Sequence, residues 1–170
     1  MPPSNPNTPL STPFILPPTT PANNAAALAN YPHARLLPPS TTATQTIYIS
    51  GTSSRRGDGT YAGCTANDTD PPSFALDCAE QTAAVLSNID RILRGATAGR
   101  HGLECVVDAT VFLTDMAGDY ARMNGAWNAV WPDAAAAPAR TCVEVSALPG
   151  GGRLCVEIKC VAVVPVVAAG

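Results

Sequence analysis

Arg140 opens the run PARTCVEV, and Glu157 lies in the run VEIKCVAV. Alternation along an extended chain puts Arg140, Cys142 and Glu144 on one face, with Val143 and Val145 on the other. In the second run Cys155, Glu157 and Lys159 share a face, opposite Val156, Ile158 and Cys160. An arginine and a glutamate on strand faces of mixed character must be paired or put to use, because burying an uncompensated charge is costly. Two readings stay open from residue type. One is a salt bridge across a subunit contact. The other is a functional site that uses both side chains. Other chemistries lack their residues. The chain has no G-x-S-x-G, P-loop, H-E-x-x-H or G-x-G-x-x-G. Gly150 to Gly152 falls between strands rather than before a helix, so it is no phosphate cradle. Six cysteines without a C-x-x-C, and two histidines, His33 and His101, give no structural zinc spacing, so no metal is expected.

The elements that must position Arg140 and Glu157 follow from pattern. Thr46 to Gly51 (TIYISG) is a β-rich run ending in glycine, followed by a polar loop over 52–63 that leads into a hairpin. After Pro71 and Pro72, Ser73 is placed to cap a helix running to about Gly95, with Cys78, Val85, Ile89, Ile92 and Leu93 at helical spacing. At 1.5 Å per residue that helix would be about 35 Å long. Cys105, Val107, Ala109, Val111 and Leu113 alternate with polar positions, which predicts a strand with an apolar face. Met116 to Val130 reads as a second helix with a stripe of Met123, Ala126, Trp127 and Val130, Trp127 belonging to the core. Two further strands, 141–145 and 154–163, flank a glycine-rich loop and look like a hairpin. The order β(β)–α–β–α–β–β predicts an α/β or α+β layer of sheet with helices on one face. The other face mixes Asp108 and Thr110 with Val106 and Phe112, which calls for burial against another subunit.

Composition bounds the function. With 10 Lys and Arg against 13 Asp and Glu the net charge is −3, no footprint for nucleic acid. No apolar window is long enough to span a membrane. Residues 1–30 hold much of the proline and show no periodicity, so they are expected to form a disordered leader before one domain over 31–170. The start lacks the basic and apolar regions of a signal peptide. A reducing, cytoplasmic location with free thiols is the matching expectation.

The segments SGTSSRR (50–56), DATVFLTDM (108–116), PARTCVEVSALP (138–149) and VEIKCVAV (156–163) resemble the RidA/YjgF family from about Tyr31 to Val163. Within it, YPHAR (31–35), SGTSSRR and VEIK are most similar to the 2-aminomuconate deaminase branch. The resemblance implies a chorismate-mutase-like homotrimer with two helices outside the sheet and ligand sites between subunits. It also implies that the last strand inserts between earlier ones rather than closing a hairpin. It implies a cofactor-free hydrolytic deaminase acting on an enamine or imine carboxylate, most closely 2-aminomuconate. In that scheme Arg140 binds the substrate carboxylate together with the backbone N–H of Cys142, and Glu157 activates water. Tyr31 and Asn124 line the cleft, and Arg55 and Arg56 are candidates for a distal carboxylate. Lys159 departs from the second glutamate that many members carry. A general 2-imino acid deaminase, a non-catalytic ligand-binding or chaperone-like trimer, and an RNA-directed activity are the alternatives; the low basic content argues against the last.

Overall fold

The computed structural model describes residues 11–15, 17, 32–38 and 44–165. Its strands are β1 (Thr12–Phe14), β2 (Ala34–Leu36), β3 (Thr44–Thr52), β4 (Cys64–Ala66), β5 (Phe74–Leu76), β6 (Val106–Leu113), β7 (Ala139–Glu144) and β8 (Val156–Pro165). Its helices are α1 (Cys78–Ala96) and α2 (Met116–Val130). The main sheet has the order β1-β2-β3-β8-β6-β7, and β4 and β5 form a separate ribbon. β8 runs antiparallel to both of its neighbours, and β7 runs parallel to β6 at the outer edge. The 141–145 and 154–163 runs are therefore not a hairpin: β6 stands between them. This mixed sheet with two helices is the α+β architecture expected.

The helices share one core with one sheet face. Ile47 and Ile49 from β3, Val111 and Leu113 from β6, and Val156, Ile158 and Cys160 from β8 are all buried. They meet Val85, Leu86, Ile89 and Leu93 of α1 and Met123 and Trp127 of α2. The opposite face is uncovered in the single chain, with Tyr48 and Val163 exposed.

Several expectations need correction. Ser73 does not cap α1. Asp77 does, accepting from the Glu80 N–H at 3.0 Å, and residues 74–76 pair with β4 instead. The helix is thus shorter than the pattern suggested. In β6 the register against β8 shifts between Val106 and Asp108, so the bulge buries Val106 and turns Val107 outward. Cys105 closes the preceding 3-10 turn rather than extending the apolar face. Val130 lies off the buried stripe of α2. Within the proline-rich leader, Thr12–Phe14 is not disordered: it pairs antiparallel with Ala34–Leu36, and Arg35 donates to Ser11 Oγ at 2.6 Å and to its carbonyl at 2.7 Å. Pro13, in the middle of this strand, lacks an N–H to donate, which suits its place at the edge of the sheet.

One buried amide ties the loops to the sheet. Gln81 on α1 is fully buried. Its Nε2 donates to the carbonyls of Gly63 (3.1 Å) and Arg153 (2.9 Å), and its Oε1 accepts from the Cys155 N–H at 3.0 Å. Replacing it by leucine keeps the volume but strands three backbone groups, each worth about 1–3 kcal/mol when left unsatisfied. Gln81→Leu is expected to lower the melting temperature by about 6 °C or more. A shift within 2 °C in thermal unfolding, roughly the effect of an ordinary surface change, would mean the three groups find other partners.

Candidate active site

Arg140 sits near the start of β7, the outermost strand, with its side chain on the helix-covered side. Its register partner is Ala109, which in turn pairs with Cys160, and both are buried beneath the helices. The guanidinium stacks over Trp127, Cζ lying 4.8 Å from the ring centroid, and Nη1 points at Met123 Sδ at 3.6 Å. Trp127 in turn packs on Trp131, centroids 4.4 Å apart. The ring face attracts the cation and the stack restricts its plane. Among the described residues no carboxylate pairs with Arg140. The arginine is oriented without being neutralised, which leaves its donors for an anion.

Cys142 lies two residues on, on the same side. The Val145 N–H bonds to the Leu113 carbonyl at 2.8 Å, so alternation turns the N–H groups of Val143 and Thr141 toward β6 and that of Cys142 toward the open edge. Burial pushes the Cys142 thiol up, with Arg140 pulling the other way. Glu144 shares the face but serves the structure, since its Oε2 accepts from the Met116 N–H at 2.7 Å and holds the start of α2. Asn124 is half-buried on α2, next to Met123. Tyr31 lies outside the described residues.

Glu157 is elsewhere. It pairs in register with Phe112 on the uncovered face, while its neighbours Val156 and Ile158 are buried on the helix side. Burial pushes its carboxyl above the ordinary value. The carboxylate lies across Gly51 of β3, where an added Cβ would run into its Oε1 and come within 3.0 Å of Cδ. Gly51 is thus the clearance that admits this side chain. In the sequence that glycine signals only the end of a strand, and Trp127 signals only core. Within one chain Arg140 and Glu157 are separated by β6 and face opposite sides of the sheet, about 10 Å apart in strand spacing alone. The expected pairing of their chemistry is not made inside the protomer.

Arg55 and Arg56 lie in the loop after Gly51. Asn88 of α1 anchors that loop, Nδ2 donating to the carbonyls of Ser53 (2.9 Å) and Arg55 (3.3 Å). Arg55 bridges to Tyr61, and Arg56 reaches Glu80 at 3.8 Å in a pair exposed on both sides. Such a pair is weak enough to yield to a ligand.

Comparison with known proteins follows the same outline. A family model described as Endoribonuclease L-PSP matches residues 23–164. A RutC family protein of Synechocystis is 46% identical over 85 residues, which span 50% of this chain and 60% of that relative. The RutC family protein YoaB of Escherichia coli is 38% identical over 94 residues, 55% of this chain and 76% of the relative. The crystal structure of RidA from the Antarctic bacterium Psychrobacter superposes with a TM-score of 0.61 at 26% identity, over 86% of this chain and 97% of that one.

The stacking of Arg140 on Trp127 is measurable before any ligand is known. A double-mutant cycle of Arg140→Ala and Trp127→Leu in urea unfolding should give a coupling of about 1 kcal/mol. Additive losses would show that the guanidinium does not rest on the ring in solution.

Proposed function

This chain belongs to the Endoribonuclease L-PSP family, the RidA/YjgF family, and from that premise we propose that it is a cofactor-free hydrolytic deaminase of enamine or imine carboxylates. The observation that carries the reading is Arg140: a guanidinium stacked on Trp127, with no carboxylate partner among the described residues, beside a backbone N–H aimed off the sheet edge. A fork of donors next to a lone amide N–H suits a planar carboxylate. The second half of the chemistry, Glu157, lies on the face left open to a second copy. The site is therefore assembled between subunits of a homotrimer, Arg140 and Cys142 from one copy meeting Glu157 from the next.

The reaction needs no group beyond these. An enamine acid protonates at carbon to give the 2-imine, whose C2 is electrophilic. Arg140 and the Cys142 N–H hold the adjoining carboxylate and draw charge away from C2. Glu157 takes a proton from water as its oxygen bonds to C2. That proton passes to the imine nitrogen, giving the carbinolamine; the hydroxyl proton is then moved to nitrogen through Glu157 as the C–N bond breaks, so that the C2–O bond becomes the carbonyl of a 2-oxo acid and ammonia leaves. The finer reading is 2-aminomuconate, a dicarboxylate. The Arg56 pair with Glu80 and the loop position of Arg55 offer the basic groups for its far end, with Asn124 of α2 on the Arg140 side of the site. Neutral-to-acidic charge, −3 overall, does not favour RNA as substrate. Among the described residues no helix is long and apolar enough to cross a membrane.

Ammonia release from 2-aminomuconate and from 2-aminoacrylate, each generated in the assay, tests the activity; release from neither would leave a ligand-binding trimer as the reading. Arg140→Lys keeps the charge but loses the fork, and kcat/KM should fall about 10- to 100-fold. Glu157→Gln should lower kcat about 100-fold while the protein stays folded. The shared site gives a sharper outcome. Mixing the inactive Arg140→Ala and Glu157→Gln proteins after subunit exchange should restore about a quarter of the wild-type activity, because random assembly puts both native groups into one site in four. No recovery in verified mixed trimers would place the two groups in separate sites.

The pH profile follows from the burial of Glu157. Its carboxyl titrates above the ordinary 4.5, and it must be ionised to accept a proton. Above that raised pKa the base is present; as pH falls through it, kcat/KM should fall with slope one. The residual activity of Glu157→Gln should lack this limb, and a limb unchanged in the variant would assign the base elsewhere.

A further inference from the structure

Beneath the Arg140 edge, three side chains that the proposed reaction does not use converge. Cys78 is the first residue of α1, Cys155 immediately precedes β8, and Asp119 lies in the first turn of α2. One ligand atom from each lies within 4.8 Å of the others. Both cysteines are free, with relative exposures of 0% and 2%. Asp119 is half-buried, its carboxyl raised by burial and then by the charge of Asp115, with Arg122 acting against them. The neighbouring thiols act on each other in opposite directions, lowering Cys78 and raising Cys155. Thr82 Oγ1 lies 3.9 Å from Cys78 Sγ, and the Cys142 thiol is close enough to feel the charge of Cys78.

We propose that Cys78, Cys155 and Asp119 form a site for a thiophilic divalent cation, with Zn²⁺ the best match. Two buried soft sulfur ligands and one half-buried carboxylate oxygen suit a small tetrahedral ion. Zinc–sulfur bonds of about 2.3 Å in a tetrahedron put two sulfurs about 3.8 Å apart. The cluster therefore needs to contract by about 1 Å or less, within reach of rotamer adjustment. The fourth position falls to water or to the Cys142 thiol. Binding breaks the two S–H bonds, forms two Zn–S bonds and releases both protons to solvent; no oxidant or reductant takes part. Residues at positions 78, 119 and 155 have no recognisable metal spacing in sequence; the fold alone brings them together.

A second group, His101, Glu104 and Cys105, is also close in space but is a poorer host. Glu104 is already occupied, Oε1 accepting from the Gly102 N–H at 2.8 Å and Oε2 lying 3.7 Å from Arg94. It serves as the internal control.

The test uses the full chain, reduced, with Co²⁺ or Zn²⁺ as the probe. One equivalent of Co²⁺ should bring a thiolate-to-cobalt charge-transfer band, which Zn²⁺ abolishes by displacement. Zinc at a hundredfold excess over its Kd should raise the melting temperature by about 5–10 °C. Calorimetry in buffers of different ionisation enthalpy should count about two protons released. Cys78→Ser and Cys155→Ser should each lose the band. Asp119→Asn, a half-exposed position that the fold tolerates, should weaken binding at least about tenfold with an unchanged circular dichroism spectrum. Cys105→Ser should change nothing. A folded, reduced wild-type protein with neither band nor melting shift overturns the proposal. So does a band that survives Asp119→Asn at full affinity, or one that vanishes in Cys105→Ser.

Discussion

The amide of Gln81 is the constraint on which the rest of the molecule depends. β8 has to enter between β3 and β6, and the register it takes decides which of its residues face the helices. Because strand side chains alternate with period two, a slip of one residue would turn Glu157 into the helix core and Ile158 out of it. The Cys155 N–H bound to Gln81 Oε1 fixes where β8 begins. The same side chain fixes the end of the 52–63 loop through the Gly63 carbonyl, and Gly63 has φ +58° with Asp77 and Gln81 packed where a Cβ would stand. One α1 residue thus sets the register of β8, which carries Glu157, and the return of the loop carrying Arg55 and Arg56. A hydrophobic core tolerates interchange of similar side chains; a fully used buried amide does not.

How much of this was legible depends on whether the signal is local. α2 was readable over its full length because Asp115 caps it, accepting from the Gly118 N–H at 2.9 Å, and Met123 and Trp127 repeat at helical spacing. The strands of the 106–113, 139–144 and 156–165 regions were readable from alternation. The errors share one cause, a tertiary term overriding a local one. Ser73 looked like a cap, but the partner of residues 74–76 is β4, and Asp77 with Glu80 outcompetes it. The bulge at Val107 is set by pairing with β8, which no short window contains. Gln81 reads as a polar surface position until three distant backbone groups are seen to meet it.

The site was legible as residue types and not as an arrangement. Alternation correctly grouped Arg140 with Cys142 and Glu157 with Lys159. It carried no information on which face of the sheet each pair occupies, because that depends on strand order. With β6 between β7 and β8, Cys142 aligns with Val111 and hence with Ile158, whereas Glu157 aligns with Phe112 on the other side. The resemblance to RidA/YjgF sequences implies the roles, and strand order puts Arg140 and Glu157 on opposite faces of the sheet.

That division explains features that have no purpose in an isolated protomer. An arginine on an outer strand, stacked on a tryptophan but without a counter-charge among the described residues, costs the fold an unneutralised cation at a half-buried position. A glutamate admitted by a glycine notch is desolvated enough to raise its carboxyl. Each is unfavourable alone. The uncovered face carrying Glu157 also exposes Tyr48 and Val163, apolar surface that a solvated sheet would replace with polar residues. In the assembly proposed above, joining this face to the Arg140 edge of another copy would cover the apolar face, bring an anion near the arginine and bring a cation near the glutamate. A chain selected only for monomer stability would have no cause to retain Gly51, Trp127 and Arg140 in these relations.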